Sequence, residues 1–283
     1  MRTATGVQHE DMIRFLLWTG VTATLMYVVV VAGLYIFQRQ LLFVPDTAVP
    51  DPVHAGLAGV GILRVPTDDG LSLVAWYVPP SSPGDFTVLL LHGNAGNIGH
   101  RAGRLRAMRH LGWGVLLLEY RGYGGNAGSP SEDGLIRDAR AGLAELHRRG
   151  IPPGRILLWG ESLGTGLAVR LASENPVACV LLDAPYTNIA EAAQRQYPYV
   201  PVRLLLKDRF DSLSRIGAVG VPILVMQGSE DRLVPPTMGR RLMEAADVPT
   251  ELWVAQGAGH EDLGPYGAVE AAAAFVARHC RPP

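Results

Sequence analysis

Ser162 stands in Gly160-Glu161-Ser162-Leu163-Gly164, where the apolar run "ILLW" gives way to the helix-like "LGTGLAVRLASE". A serine hydroxyl becomes a working nucleophile when a base lies within hydrogen-bond reach and a carboxylate holds that base in the right tautomer. Both partners come later in chain order: Asp231 in "GSEDRLVPP" and His260 in "GAGHEDL", each just past an apolar run. The two glycines have a steric reason, because a sharp strand-to-helix turn brings backbone close on both sides of the serine. The predicted chemistry is acyl transfer, with Ser162 as nucleophile, His260 as base and Asp231 as its orienting acid. Glu230 and Asp183 are rival acids. Glu230 neighbours Asp231 and should point elsewhere, and Asp183 in "LLDAP" comes after an earlier strand and is better placed to support nearby loops.

An oxyanion developing on the substrate needs preorganised donors, ideally two backbone N–H groups. Leu163, directly after the serine, offers one. The other is expected from "LHGNAGN", where glycines thin the loop after the first central strand, and Asn94 is the predicted donor. His92, at that strand end, reads as a structural hydrogen-bonder rather than a second base. The remaining histidines, His9, His54, His100, His110, His147 and His279, lack an acid-and-nucleophile context. No histidine–carboxylate set has metal-ligand spacing, so no metal is expected. The glycines of "RGYGG" come without a phosphate-loop lysine and read as a tight turn. A dehalogenase would need a carboxylate at position 162.

These residues need a scaffold that brings distant strand ends together. The runs "TVLLLHG", "GVLLLEY", "RILLWGE", "ACVLLDAP", "PILVMQG" and "ELWVAQG" are continuous and Val/Leu-rich, as strands covered on both faces should be. Helices are expected over about 98–111, 132–149, 163–174, 236–246 and 266–279. Such alternation predicts an α/β fold with a mostly parallel, doubly wound sheet and flanking helices. In open α/β sheets chemistry gathers beyond the carboxyl ends of the strands, which is where His92, Ser162, Asp231 and His260 fall. "GILRVPTDDGLSLVAWYVPP" alternates around Asp69-Gly70 and predicts an edge hairpin.

A chain of 283 residues with 25 basic and 26 acidic residues carries no basic footprint for nucleic acid. Lys207 is its one lysine, a bias with no mechanism attached. Two cysteines give no disulfide framework by spacing, and Cys179 reads as a small buried hydrophobe. From Phe15 to Phe37 there are 23 residues without a charge, bounded by Arg14 and Arg39. A helix of that length crosses about 30 Å of hydrocarbon. The run exceeds a usual apolar signal region and lacks a small-x-small cleavage site, so a retained single-pass anchor is expected. Trp18, Tyr27 and Tyr35 partly suit an interfacial belt, although Tyr27 falls mid-span. Arg2 and Arg14 before the run, against Arg39 after it, tilt the reading toward a cytoplasmic amino terminus and an external or periplasmic domain. The expected organisation is a tail over 1–14, an anchor over 15–37, a linker over 38–60 and one domain over 61–283.

Together, "LLLHGNAGNIGHR", "LEYRGYGGNAGSPSEDGL", "GESLGTGLAVRLASE" and "YPYVPVRLLLKDRFDS" resemble the membrane-anchored α/β-hydrolases of the yeast bud-emergence type, relatives of the animal α/β-hydrolase-domain proteins. The resemblance covers roughly residues 60–280 and the amino-terminal anchor. It implies an α/β-hydrolase fold, the Ser162–Asp231–His260 triad, an oxyanion hole at Asn94 and Leu163, and ester or thioester hydrolysis without a cofactor. Glu161 stands before the serine where some relatives carry another residue. A short cap is expected over about 186–220. Its Tyr186, Tyr197, Tyr199 and Phe210 could line an acyl pocket or pack the cap onto the sheet. An acyl, lipid-like ester or thioester is the first substrate expectation, and a soluble small ester the second. A peptidase on the same triad and a non-catalytic membrane scaffold are the rivals. The sequence sets no oligomeric state.

Overall fold

The computed structural model describes residues 4–280, so Arg2 lies outside the described residues. A long helix comes first, α1 (Ala4–Leu42), and then the short strand β1 (Val44–Pro45). The hairpin is present as β2 (Gly61–Pro66) and β3 (Ser72–Val78), paired antiparallel around a turn in which Gly70 adopts a φ of 88°. The order then runs β4 (Thr87–Leu91), β5 (Ala95–Gly96), α2 (Ala102–His110), β6 (Gly114–Leu118), α3 (Glu132–Arg148), β7 (Ile156–Glu161) and α4 (Leu163–Ala172). It continues with β8 (Cys179–Asp183), α5 (Ile189–Gln196), α6 (Val202–Leu205), β9 (Ile223–Gly228), α7 (Pro236–Glu244), β10 (Thr250–Ala255) and α8 (Ala268–His279). The six apolar runs are thus all strands.

Among the described residues the main sheet has eight strands in the order β10-β9-β8-β7-β4-β6-β3-β2. All pairings are parallel except the two made by β3, with β2 and with β6. β4, β6, β7, β8 and β9 are buried along nearly their whole length, which is why their sequences do not alternate. Local signals set the helix ends. Ser131 caps α3 by accepting from Gly134 N–H, Glu132 and Asp133 sit at its positive end, and His147 and Arg148 close its negative end. The same logic starts α5, where the Asn188 side chain accepts from Glu191 N–H.

One expectation is corrected here. Cys179 and Cys280 form a disulfide, with Cα atoms 5.9 Å apart, that ties the start of β8 to the residue after α8. Two cysteines 101 residues apart carry no spacing signal, and only the packing of α8 on the sheet makes them neighbours. The helix that contains the uncharged run continues to Leu42, and the strand just beyond it is tied to the domain. β1 pairs with β5, joining the segment after the helix to the loop after β4.

Candidate functional site

The topological switch lies at β4, which pairs with β7 on one side and β6 on the other. Chains leaving β4 and β7 therefore diverge and open a crevice at their carboxyl ends. Leu91 is in register with Gly160, so the "HGNAG" loop and the serine turn rise side by side. Ser162 sits at φ 45°, ψ −110°, a strained backbone for a residue with a Cβ. The flanking glycines have specific reasons: a Cβ on Gly160 would overlap the Gly164 carbonyl, and one on Gly164 would overlap the Leu91 carbonyl.

Ser162 Oγ–H donates to His260 Nε2 at 2.8 Å, and His260 Nδ1–H donates to Asp231 Oδ2 at 2.7 Å. The Asp231 carboxylate also accepts the N–H groups of Leu233 (2.9 Å) and Val234 (2.8 Å) through Oδ1, which leaves Oδ2 aimed at the ring. That arrangement fixes the neutral tautomer whose Nε2 can receive the serine proton. Asp183 does otherwise: its carbonyl accepts Ser162 N–H at 2.8 Å, and its carboxylate pairs with Arg104. Glu230 uses its backbone N–H on the Ala258 carbonyl and is not joined to His260.

Asn94 is held on three sides. Its carbonyl accepts from Val44 N–H (2.9 Å) and Tyr123 O–H (2.7 Å), and its side chain donates to the Leu42 carbonyl (2.9 Å). Neither its N–H nor that of Leu163, the first residue of α4, is spent on another group among the described residues. Beneath this loop His92 is fully buried, with Nδ1 against the Gly93 carbonyl (2.8 Å) and Nε2 against Glu119 (3.1 Å). Glu119 in turn accepts from Ile98 N–H, so the pair braces both ends of the turn that carries Asn94.

Sequence reasoning missed the charged wall of the cleft. Arg101 and Arg104, three apart at the start of α2, reach Glu161 at 3.1 and 2.9 Å, and Arg104 also pairs with Asp183. Register places Glu161 directly beside Asp183, two carboxylates that would repel without a cation between them. Burial works to raise both carboxyls. The charges of Arg104 and Arg101 overcome it at Glu161, which lies below the usual range, whereas at Asp183 burial prevails and the group is raised. The R-x-x-R spacing of "HRAGR" was the available signal. The cleft, about 390 Å³, is lined by these four groups with Asn94, Ser162 and His260.

The four aromatic residues considered for an acyl pocket are not brought to this cleft. Tyr186 is buried in the core, filling the space above Gly166 while its O–H donates to the Leu163 carbonyl at 3.0 Å. Phe210 is buried edge-on to Phe43. Tyr199 is turned outward, and Tyr197 lines a separate apolar cavity of about 150 Å³ between α1 and the α5–α6 segment. The short cap is instead bonded to α1, through Tyr27 to Tyr199, Gln38 to Leu205 and Arg39 to Asp208.

Fold and site together define an α/β hydrolase. A family model described as the alpha/beta hydrolase fold matches residues 87–214. The chain is 43% identical over 228 residues to an uncharacterised protein of Mycobacterium tuberculosis, covering 80% of this chain and 81% of that protein. It is 32% identical over 236 residues to the α/β-hydrolase-domain-containing protein WAV2 of Arabidopsis thaliana, covering 74% of this chain and 76% of that one. It is also 32% identical over 191 residues to the lysophosphatidylserine lipase ABHD12 of Danio rerio, covering 60% and 50%. Among solved structures, a Pyrococcus furiosus esterase superimposes with a TM-score of 0.69 at 20% identity, covering 85% of this chain and 98% of that one. The chain belongs to the α/β-hydrolase-domain proteins.

Proposed function

We propose that this protein is a membrane-tethered serine hydrolase of the bud-emergence type that cleaves carboxylic ester or thioester bonds through an acyl-enzyme. The observation that carries the reading is the unbroken chain of hydrogen bonds from Ser162 through His260 to Asp231. Ser162 Oγ attacks the acyl carbonyl as its proton passes to His260 Nε2, and Asp231 stabilises the imidazolium that results. The tetrahedral oxyanion is held by the N–H groups of Asn94 and Leu163, supported by the positive end of α4. Collapse expels the alcohol or thiol, which takes the proton from His260. Water then attacks the acyl carbon as its proton passes to the same nitrogen, and collapse breaks the bond to Ser162 Oγ, which takes that proton back as the acid leaves. No step requires a metal or cofactor.

The tether reading assigns residues 15–37 to the membrane, with the tail before it and the hydrolase domain from 61 onward. It is supported by the apolar stretch Asp11–Leu42, whose most apolar window is nowhere buried. An external or periplasmic domain suits the Cys179–Cys280 disulfide, which persists in oxidising surroundings. The anchor and the lipase named among the relatives favour an acyl-lipid substrate. The polar wall of the cleft favours a second reading, a small polar ester.

The test is labelling of the purified chain with a fluorophosphonate, beside Ser162→Ala and His260→Ala, and then turnover of p-nitrophenyl esters from short to long acyl chains. Labelling and turnover of the parent alone are expected, with long chains preferred. Preference for short chains would select the small-ester reading. A folded parent that takes no label would leave a scaffold with a hydrolase fold.

A further inference from the structure

The cap segment carries a surface that the serine chemistry does not use. Tyr199 is 87% exposed and Leu204 82%, beside the half-exposed Tyr197, an arrangement a water-facing loop seldom tolerates. This patch touches α1 well inside the apolar run: Tyr27 O–H donates to the Tyr199 carbonyl at 2.8 Å. From Asp11 to Val30 the helix is exposed along its whole length, and its residues become partly covered only from Val31 onward.

These contacts fix a depth. With Arg14 at one polar boundary, ~20 helical residues carry the hydrocarbon to about Leu34, and the uncharged run itself ends at Phe37. Tyr27 lies 7 residues before the first limit and 10 before the second, so the loop bonded to it lies about 10–15 Å inside the hydrocarbon at ~1.5 Å per residue. A loop can sit at that depth only when its backbone polar groups are satisfied within the protein. In the segment Tyr197-Pro198-Tyr199-Val200-Pro201 all five carbonyls and two of the three N–H groups have partners among the described residues, Tyr199 N–H being the exception. The two hydrogens of the Gln194 amide are shared among the carbonyls of Tyr197, Pro198 and Val200, at 3.2, 3.3 and 3.0 Å from its nitrogen, and Tyr27 serves Tyr199. The Pro201 carbonyl accepts from Leu204 and Leu205 N–H. The two prolines remove donors outright, and the N–H groups of Tyr197 and Val200 are bonded to the Ala193 and Tyr197 carbonyls. Arg195, Arg203, Lys207 and Arg209 flank or interrupt the segment, and the Lys207 ammonium lies 4.3 Å over the Tyr35 ring, a placement suited to snorkelling toward headgroups.

We infer that the 197–206 segment of the cap is itself inserted into the outer part of the bilayer alongside α1, so that the hydrolase domain is sunk into one leaflet rather than hanging from a tether. The occupant of this apolar face is lipid hydrocarbon, and the cavity between α1 and the cap, lined by Leu34, Leu41, Ile189, Tyr197 and Leu205, borders the acyl chains. The inference rests on the membrane-tether reading.

The experiment uses the full chain in phosphatidylcholine–phosphatidylglycerol vesicles, with a nitroxide placed through Tyr199→Cys, Leu204→Cys, Leu25→Cys or Arg148→Cys. The native cysteines are buried in their disulfide and take no label. Leu25 reports the free part of α1, and Arg148, at the carboxyl end of α3, reports a site a helix length away from the Glu132 end that bonds Asp208 of the cap. Collision rates with oxygen and with a water-soluble nickel chelate give each label's depth. The expected result is an oxygen-to-nickel ratio at positions 199 and 204 several-fold above that at 148 and close to that at 25. Labels at 199 and 204 that match position 148, while position 25 stays lipid-exposed, would overturn the insertion and leave the tether standing. A water-exposed label at 25 would remove the tether reading and the insertion with it.

Discussion

Around Ser162 the charged and polar side chains are paired with named partners and the backbone is strained, whereas around Tyr199 the side chains face outward and it is the backbone carbonyls that are paired. The first region buries charge and compensates it with Arg101, Arg104, Glu161 and Asp183. The second exposes aromatic and aliphatic bulk and lets Gln194 and Tyr27 satisfy the carbonyls. The contrast separates two demands on one chain. Acyl transfer needs fixed dipoles at ångström precision, and contact with lipid needs apolar surface with no unsatisfied backbone. The two regions are joined by a short path, because the residues that end α1 also hold Asn94.

Substitutions can break this contrast in graded steps. The largest effect belongs to Gly164→Ala: the added methyl would meet the Leu91 carbonyl, so we expect about 3 kcal/mol or more of destabilisation in urea unfolding and no esterase activity. A parent-like midpoint would show that the serine turn is not the strained element described. Next, a triad whose orienting aspartate becomes asparagine holds the base in the wrong tautomer, so Asp231→Asn is expected to lose about 10⁴ in kcat for ester turnover with little change in thermal midpoint. Asp183→Asn is expected to cost far less, and the reverse ranking would move the acid role to Asp183.

Removing the disulfide with Cys179→Ala and Cys280→Ala frees a loop of about 100 residues and should lower stability by roughly 2–5 kcal/mol, while turnover per folded molecule is unchanged. A fall in kcat without a fall in unfolding midpoint would count against that separation. The smallest effect is expected from Asn94→Ala, which keeps the backbone N–H but drops the 2.9 Å bond to the Leu42 carbonyl. A loss of about 1 kcal/mol of transition-state positioning, near fivefold in kcat with KM little changed, would tie the end of α1 to the oxyanion loop. An unchanged kcat would show the two regions to be independent.

Much of the fold was legible because it rests on local patterns. Buried parallel strands need continuous apolar runs, the hairpin needs Asp69-Gly70, and the serine turn needs glycine at 160 and 164, so each feature is written within a few residues. The candidate triad was legible for the same reason: each member sits just past its own strand end. The aromatic cap stayed open between two readings because Tyr186 and Tyr199 look alike in sequence, and only packing turns one inward onto Leu163 and the other outward.

By itself the sequence determined the strands, their order of chemistry-bearing ends, the serine turn and the long apolar helix, all consequences of spacing between near neighbours. Tertiary structure decided the Cys179–Cys280 bond, the arginine–carboxylate wall, the hold of Leu42 and Val44 on Asn94, and the contact of Tyr27 with the cap. Each of those joins residues tens to more than a hundred positions apart, and no local pattern encodes a distance that only the packed sheet brings to a few ångströms.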